Sequence, residues 1–259
     1  MENGERVAEY TTETVQAGWL ARVFPSLAFY ARVTPVVLRN ARAAKRGRFD
    51  RAMWRSESVK VLRAFEHCGV PVTFENLGVL EGVEGPCVFV GNHMSTTETF
   101  LLAAFIVPYR PITFVVKRQL VEYPVFKHIM RACDPVVVGR ENPKEDFRVV
   151  MEEGCKRLES GVSVIVFPQR TRSARFSPDD FNTIGVKLAR RAGVPVVPLA
   201  LKTDAWANGC FIKDFGPLVP DRPVHFALGA PLSSALRDRE ANQAVIDFIQ
   251  AKLNDWTPA

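Results

Sequence analysis

From Val70 onward, short apolar runs rich in β-branched residues alternate with segments of helical period. This alternation constrains the fold more than anything else in the chain. The strand runs fall at residues 70–74, 87–90, 112–116, 135–138, 162–167, 195–201 and 224–228. A helix over residues 51–67 stops near Gly69. Another over 144–159 places Phe147, Val150, Met151, Cys155 and Leu158 on one face; Asn142-Pro143 starts it and Gly161 follows its end. A third, over 181–192, turns Phe181, Ile184, Leu188 and Ala192 inward and stops at Gly193. Strands separated by helices imply an α/β layer fold: a largely parallel mixed sheet flanked by helices. Asn208-Gly209 reads as a hairpin turn in an antiparallel excursion. No repeat or low-complexity linker divides the chain, so residues 51–259 form one α/β domain.

Residues 1–50 differ. Trp19, Leu20, Val23, Phe24, Leu27, Phe29 and Tyr30 interleave with Arg22 and Arg32, and Arg39, Arg42, Lys45, Arg46 and Arg48 follow without an acidic residue. Pro25 and Pro35 are expected to break this stretch into short helices. Aromatics followed by a basic cluster fit an interfacial membrane anchor; the alternative is a helical hairpin packed on the core with a solvated basic face. The net charge of +6 favours anionic partners such as phosphorylated lipid or an anionic membrane. Nucleic acid would also use the charge, but no matching motif is present. The first residues show no signal-peptide pattern, and no uncharged apolar run approaches the roughly 20 residues of a spanning helix. Five cysteines without a C-x-x-C spacing argue for a reducing compartment and against zinc or a disulfide framework.

Two loops carry chemistry. Gly91-Asn92-His93-Met94-Ser95-Thr96-Thr97-Glu98 follows one apolar run, placing an imidazole and a carboxylate five residues apart. Phe167-Pro168-Gln169-Arg170-Thr171-Arg172-Ser173 follows another, with two guanidiniums and two hydroxyls. A neutral imidazole can take a hydroxyl's proton, and a carboxylate on its other nitrogen fixes the tautomer. Guanidinium forks suit phosphate oxygens. Glu98 has a rival role: Ser95-x-x-Glu98 also fits a capping box at the start of a helix through Phe100, Leu101, Leu102 and Phe105. Ser95 as a hydrolase nucleophile lacks the G-x-S-x-G context. The other three histidines, His67, His128 and His225, have no companion motif and read as structural.

These blocks resemble the glycerolipid acyltransferases, typified by the enzymes that acylate 1-acylglycerol 3-phosphate. Asn92-His93-x4-Glu98 matches their H-x4-D, and Phe167 to Ser173 matches F-P-E-G-T-R-S. Lys117-Arg118-Gln119-Leu120 matches K-x-x-L, Arg140 matches an Arg closing a strand, and Val194-Pro195-Val196-Val197-Pro198 matches a final V-P-V-V-P strand. The resemblance spans about residues 74 to 229 with all blocks in family order. It implies His93 as general base, Glu98 as its orienter, and Arg172, Thr171, Ser173, Arg140, Lys117, Gln169 and Arg170 around the acceptor phosphate. Acyl-CoA or acyl-carrier protein would be a co-substrate, with no metal and no tightly bound cofactor. The acceptor would be a lysophospholipid hydroxyl and the place of work the cytoplasmic face of a membrane, peripheral or monotopic. Glu98 replaces the family's Asp, Gln169 its Glu and Arg170 its Gly. The last two, expected in the acceptor pocket, leave open glycerol 3-phosphate, another lysolipid or an amino-lipid as acceptor. A lipid-binding protein without the chemistry is the non-enzyme alternative.

Overall fold

The computed structural model describes residues 6–13, 17–210 and 213–257. In chain order these form β1 (Tyr10–Thr11), α1 (Trp19–Val23), α2 (Pro25–Lys45), α3 (Arg51–His67), β2 (Val72–Glu75), β3 (Val88–Gly91), α4 (Thr97–Ile106), β4 (Ile112–Lys117), α5 (Arg118–Glu122) and α6 (Phe126–Ala132). There follow β5 (Val136–Val138), α7 (Pro143–Glu159), β6 (Ser163–Val166), α8 (Ile184–Ala192), β7 (Val196–Lys202), β8 (Val224–Leu228) and α9 (Asp238–Asp255). The strands make one sheet in the order β1-β2-β8-β7-β3-β6-β4-β5. β7, β3, β6, β4 and β5 run parallel; β8 is antiparallel to β7, and β1 to β2. This is the largely parallel mixed sheet that the alternation of elements predicts.

The period of two along each strand sorts side chains between two cores. Phe89, Ile165, Val197 and Leu199 face one core, which they share with α2, α3 and α4. Val88, Val90, Val164, Val166 and Val196 face the other, filled by α7, α8 and α9. The helix ends obey local chemistry. Asn142 caps α7 by accepting from Lys144 N and Glu145 N, and Gly193 ends α8 with φ +68°, a conformation that suits glycine.

Three expectations need correction. Pro35 does not break α2, which runs unbroken from Pro25 to Lys45; Pro25 does separate it from α1. The missing amide hydrogen bond is offset by burial, because Ala28, Phe29, Val33, Val36 and Val37 pack into the first core. The third expected helix starts at Ile184, not Phe181, because Asn182 Oδ1 accepts from Ile184 N at 2.9 Å and sets the first turn. Asn208-Gly209 is not the turn. Gly209 N donates to Lys213 O at 3.3 Å and Ala207 N to Pro217 O at 3.0 Å, so both lie on one arm of the excursion; among the described residues Trp206 and Leu218 pair as its antiparallel bridge.

α2 therefore shares its core with the sheet. Its Tyr30 hydroxyl donates to Gly216 O at 2.7 Å and accepts from Trp206 Nε1 at 3.0 Å, while Phe29 packs edge-on against Phe65 and Trp206. Outside that core, α1 and the start of α2 leave Trp19, Leu20, Val23, Phe24 and Leu27 exposed. Among the described residues, no helix is long and apolar enough to cross a membrane.

Candidate active site

Parallel strands deliver the loops at their carboxyl ends to one edge of the sheet. His93 lies just past β3, Lys117 at the end of β4, Arg140 just past β5, the 167–173 loop just past β6 and Thr203 just past β7. The departure of β3 is tightly held. Asn92 exchanges two hydrogen bonds with Leu201, donating to its carbonyl at 2.7 Å and accepting from its amide at 2.9 Å. His93 N donates to Gln169 Oε1 at 2.6 Å, and His93 O accepts from Ser173 N at 2.9 Å. The imidazole stacks on Phe167, with centroids 4.5 Å apart and planes 5° from parallel.

Glu98, fully buried in the first turn of α4, acts both as a cap of that turn and as a partner of His93. Its Oε1 accepts from Met94 N and Ser95 N at 2.9 Å each and from Thr203 Oγ1 at 2.5 Å; its Oε2 lies 3.5 Å from His93 Nδ1. That last separation is longer than a good hydrogen bond and becomes a charge contact only when the ring is protonated. Burial pushes the Glu98 carboxyl upward, yet His93, Thr203 and the Ser95 amide outweigh it and hold the group below the usual glutamate range. A buried carboxylate thus sits against Nδ1 and leaves Nε2 for a reactant. Ser95 is buried: its hydroxyl donates to Thr203 O at 2.8 Å and accepts from Thr97 N at 3.0 Å.

The cations converge beside this pair. Arg172 donates to Thr96 Oγ1 and to Asp214 Oδ1, the latter at 2.7 Å. Arg140 stands in a left-handed conformation, φ +64°, because Asp146 accepts from the amides of both Gly139 and Arg140; its guanidinium donates to Arg170 O. Burial, with the nearby charges of Arg140, Lys213 and Arg172, holds the Lys117 ammonium below the ordinary lysine range. Crowded like charges of this kind favour an anion between them.

Not every residue expected in the acceptor pocket faces it. Gln169 is buried and supports the His93 amide, a task its neutral amide oxygen performs without a carboxylate. The Ser173 hydroxyl closes a turn on Arg175, donating to its carbonyl and accepting from its amide. Thr171 is exposed and accepts from Lys213 Nζ at 3.1 Å, and Arg170 is exposed, its backbone carbonyl taken by Arg140. Sequence reasoning missed Thr203, Lys213, Asp214 and Asn208, whose side chain donates to Met94 O at 3.0 Å. Only Thr203 left a signal, its position one residue past a strand that ends on this edge.

The match to known proteins agrees with this geometry. Residues 69–202, just over half the chain, match the acyltransferase family model. A 1-acyl-sn-glycerol-3-phosphate acyltransferase of Pseudomonas aeruginosa is 33% identical over 129 residues, covering 50% of this chain and 49% of its own. One from Cocos nucifera is 25% identical over 163 residues, covering 59% and 51%. The chain spans about half the length of these curated relatives. In fold it is similar to the crystal structure of the 1-acyl-sn-glycerophosphate (LPA) acyltransferase PlsC from Thermotoga maritima: TM-score 0.66 at 21% identity, over 90% of this chain and 96% of that one. With its ordered motifs gathered on one sheet edge, this chain belongs to the acyltransferase family.

Proposed function

We propose that the chain moves a fatty acyl group from acyl-CoA or acyl-carrier protein to the hydroxyl of a lysophospholipid, most closely 1-acylglycerol 3-phosphate, at the cytoplasmic face of a membrane. His93 Nε2 takes the hydroxyl proton as the oxygen attacks the thioester carbonyl. The tetrahedral intermediate collapses, the C–S bond breaks, and the imidazolium returns its proton to the departing thiolate. No covalent enzyme intermediate is needed. Glu98 holds the proton on Nδ1 and stabilises the charged ring. Arg172, Lys117 and Arg140 receive the acceptor phosphate, with Asp214 as its competitor for Arg172.

The observation that carries this reading is the buried Glu98 carboxylate facing His93 Nδ1 beside a cluster of cations. The names of the relatives support the acceptor, and the exposed Trp19, Val23, Phe24 and Leu27 support the membrane surface. The test is purified full-length protein with mixed acyl thioesters and a panel of lysolipids, products identified by mass spectrometry. His93→Ala is expected to lower transfer at least ~100-fold, the scale of a general base. Absence of transfer by the wild type to every lysolipid would favour the non-catalytic lipid-binding alternative.

A further inference from the structure

A cavity of about 600 Å³ opens where the C-terminal end of α2 meets the start of α3. Arg39, Arg42, Arg46 and Arg48 line it together with Pro35, Ala43 and Met53, so its wall is largely the carbon of these side chains with the four charged heads at its rim. Arg39, Arg42 and Arg46 recur at helical spacing, so α2 presents them on one side. Arg48 returns to the same cavity past Gly47, whose φ of +67° turns the chain. Only Arg39 is neutralised locally: it pairs with the buried Glu57, which also binds Lys60. Among the described residues, no carboxylate pairs with Arg42, Arg46 or Arg48. Three uncompensated cations round a concave surface are what a phosphate group requires.

The rest of α2 indicates what carries that phosphate. Leu27 and Leu38, eleven residues apart, project within about 20° of each other round the helix, and both are exposed. Leu38 lies one turn before Arg42. A bilayer meeting the exposed apolar part of α1 and α2 would bring its headgroup layer to the cavity. We infer that this arginine-lined cavity is a binding site for the phosphate of an anionic phospholipid in the membrane surface, separate from the acceptor site at Arg172. The inference rests on the membrane location proposed for the enzyme.

Vesicle co-sedimentation with the full-length chain tests both. Phosphatidylcholine vesicles are compared with vesicles containing a fifth phosphatidic acid. The wild type is expected to prefer the anionic vesicles, and Arg42→Gln/Arg46→Gln/Arg48→Gln to bind them at least ~10-fold more weakly. A control, Arg191→Gln/Arg237→Gln/Arg239→Gln, removes the same charge from α8 and the α9 terminus on the opposite face of the sheet. Wild-type protein that ignores all vesicles overturns the membrane reading and the site together. Wild-type binding that is weakened no more by the pocket variant than by the control overturns the site alone. Occupancy is read from the Met53 methyl resonance. It should shift with dihexanoyl phosphatidic acid below its micellar concentration and not with equimolar inorganic phosphate. Equal shifts from both would reduce the cavity to a bare phosphate site and overturn the lipid assignment, as would no shift at all.

Discussion

Replacing Glu98 with Gln tests the candidate site at one atom. The carboxylate's Oε1 takes three donors, Met94 N, Ser95 N and Thr203 Oγ1. The amide oxygen of Gln can keep all three. Turning the amide over would set NH2 against two backbone N–H groups, at about 1–3 kcal/mol for each buried donor left unsatisfied. The Gln NH2 therefore points at His93 Nδ1, where Glu98 Oε2 lies 3.5 Å away in the wild type. A donor at Nδ1 makes that nitrogen the acceptor and moves the ring proton to Nε2. The base then presents a proton where it needs a lone pair. Tautomer reversal of this kind costs about 10⁴-fold in a serine protease triad, and a loss of that order is expected in kcat here. Stability should move little. Each of three charge-assisted bonds weakens by roughly 1 kcal/mol, while relief from burying a charge recovers a similar amount. A melting temperature within about 4 °C of wild type is expected for a chain of this size. Steady-state transfer from acyl-CoA to lysophosphatidic acid, with a thermal melt on the same preparation, supplies both numbers. If kcat stays within about threefold of wild type, the carboxylate is a helix cap alone and another group orients His93.

Arg172→Ala should raise the KM for a phosphate-bearing acceptor at least ~10-fold through loss of a charge-assisted contact. The KM for the acyl donor should hold; an equal rise in both would move Arg172 out of the acceptor site. Gly91→Ala would put a Cβ 2.6 Å from the Leu199 carbonyl oxygen, forcing β3 from β7. A loss of about 1–3 kcal/mol in denaturant unfolding is expected, and unchanged stability would mean the strands part easily. Thr203→Val removes one of the donors that hold the Glu98 carboxyl down. A carboxyl with a depressed folded pKa stabilises the fold above its unfolded pKa and loses that stability as pH falls through the folded value. Thr203→Val raises the folded value, so acid unfolding followed by circular dichroism should begin at higher pH than in wild type. A midpoint at or below the wild-type one would contradict the sign.

The seven longer strands and the helices α3, α4, α7 and α8 were legible because each depends on a local pattern that burial reinforces, whereas α5, α6 and α9 went unread. β8 matches its expected run at both ends, and β3, β4 and β7 differ from theirs by a residue. Two further elements depend on distant partners. β1 has two residues and exists only because Tyr10 and Thr11 pair with Phe74 and Thr73. α2 survives Pro35 because tertiary burial outweighs one hydrogen bond. In the site, His93, Glu98 and Arg172 stand in ordered motifs. Lys213 and Asp214 sit in an irregular segment between β7 and β8, and no periodicity marks where it folds. Gln169 looked like a change in the acceptor pocket, and only the His93 amide reveals what its oxygen does.

Phe29 lies wholly inside the core that also holds Phe89 of β3, so the first helices and the strand that delivers His93 belong to one body. Trp19, Phe24 and Leu27 are therefore not on a tether. A surface that receives them is held at one height and one tilt relative to the imidazole. For the lipid acceptor proposed above, the depth at which its reactive group is met is then a fixed dimension of the protein, like the throat of a gauge. Changing it would take a repacking of α2 against α3, not a change in the length of any loop.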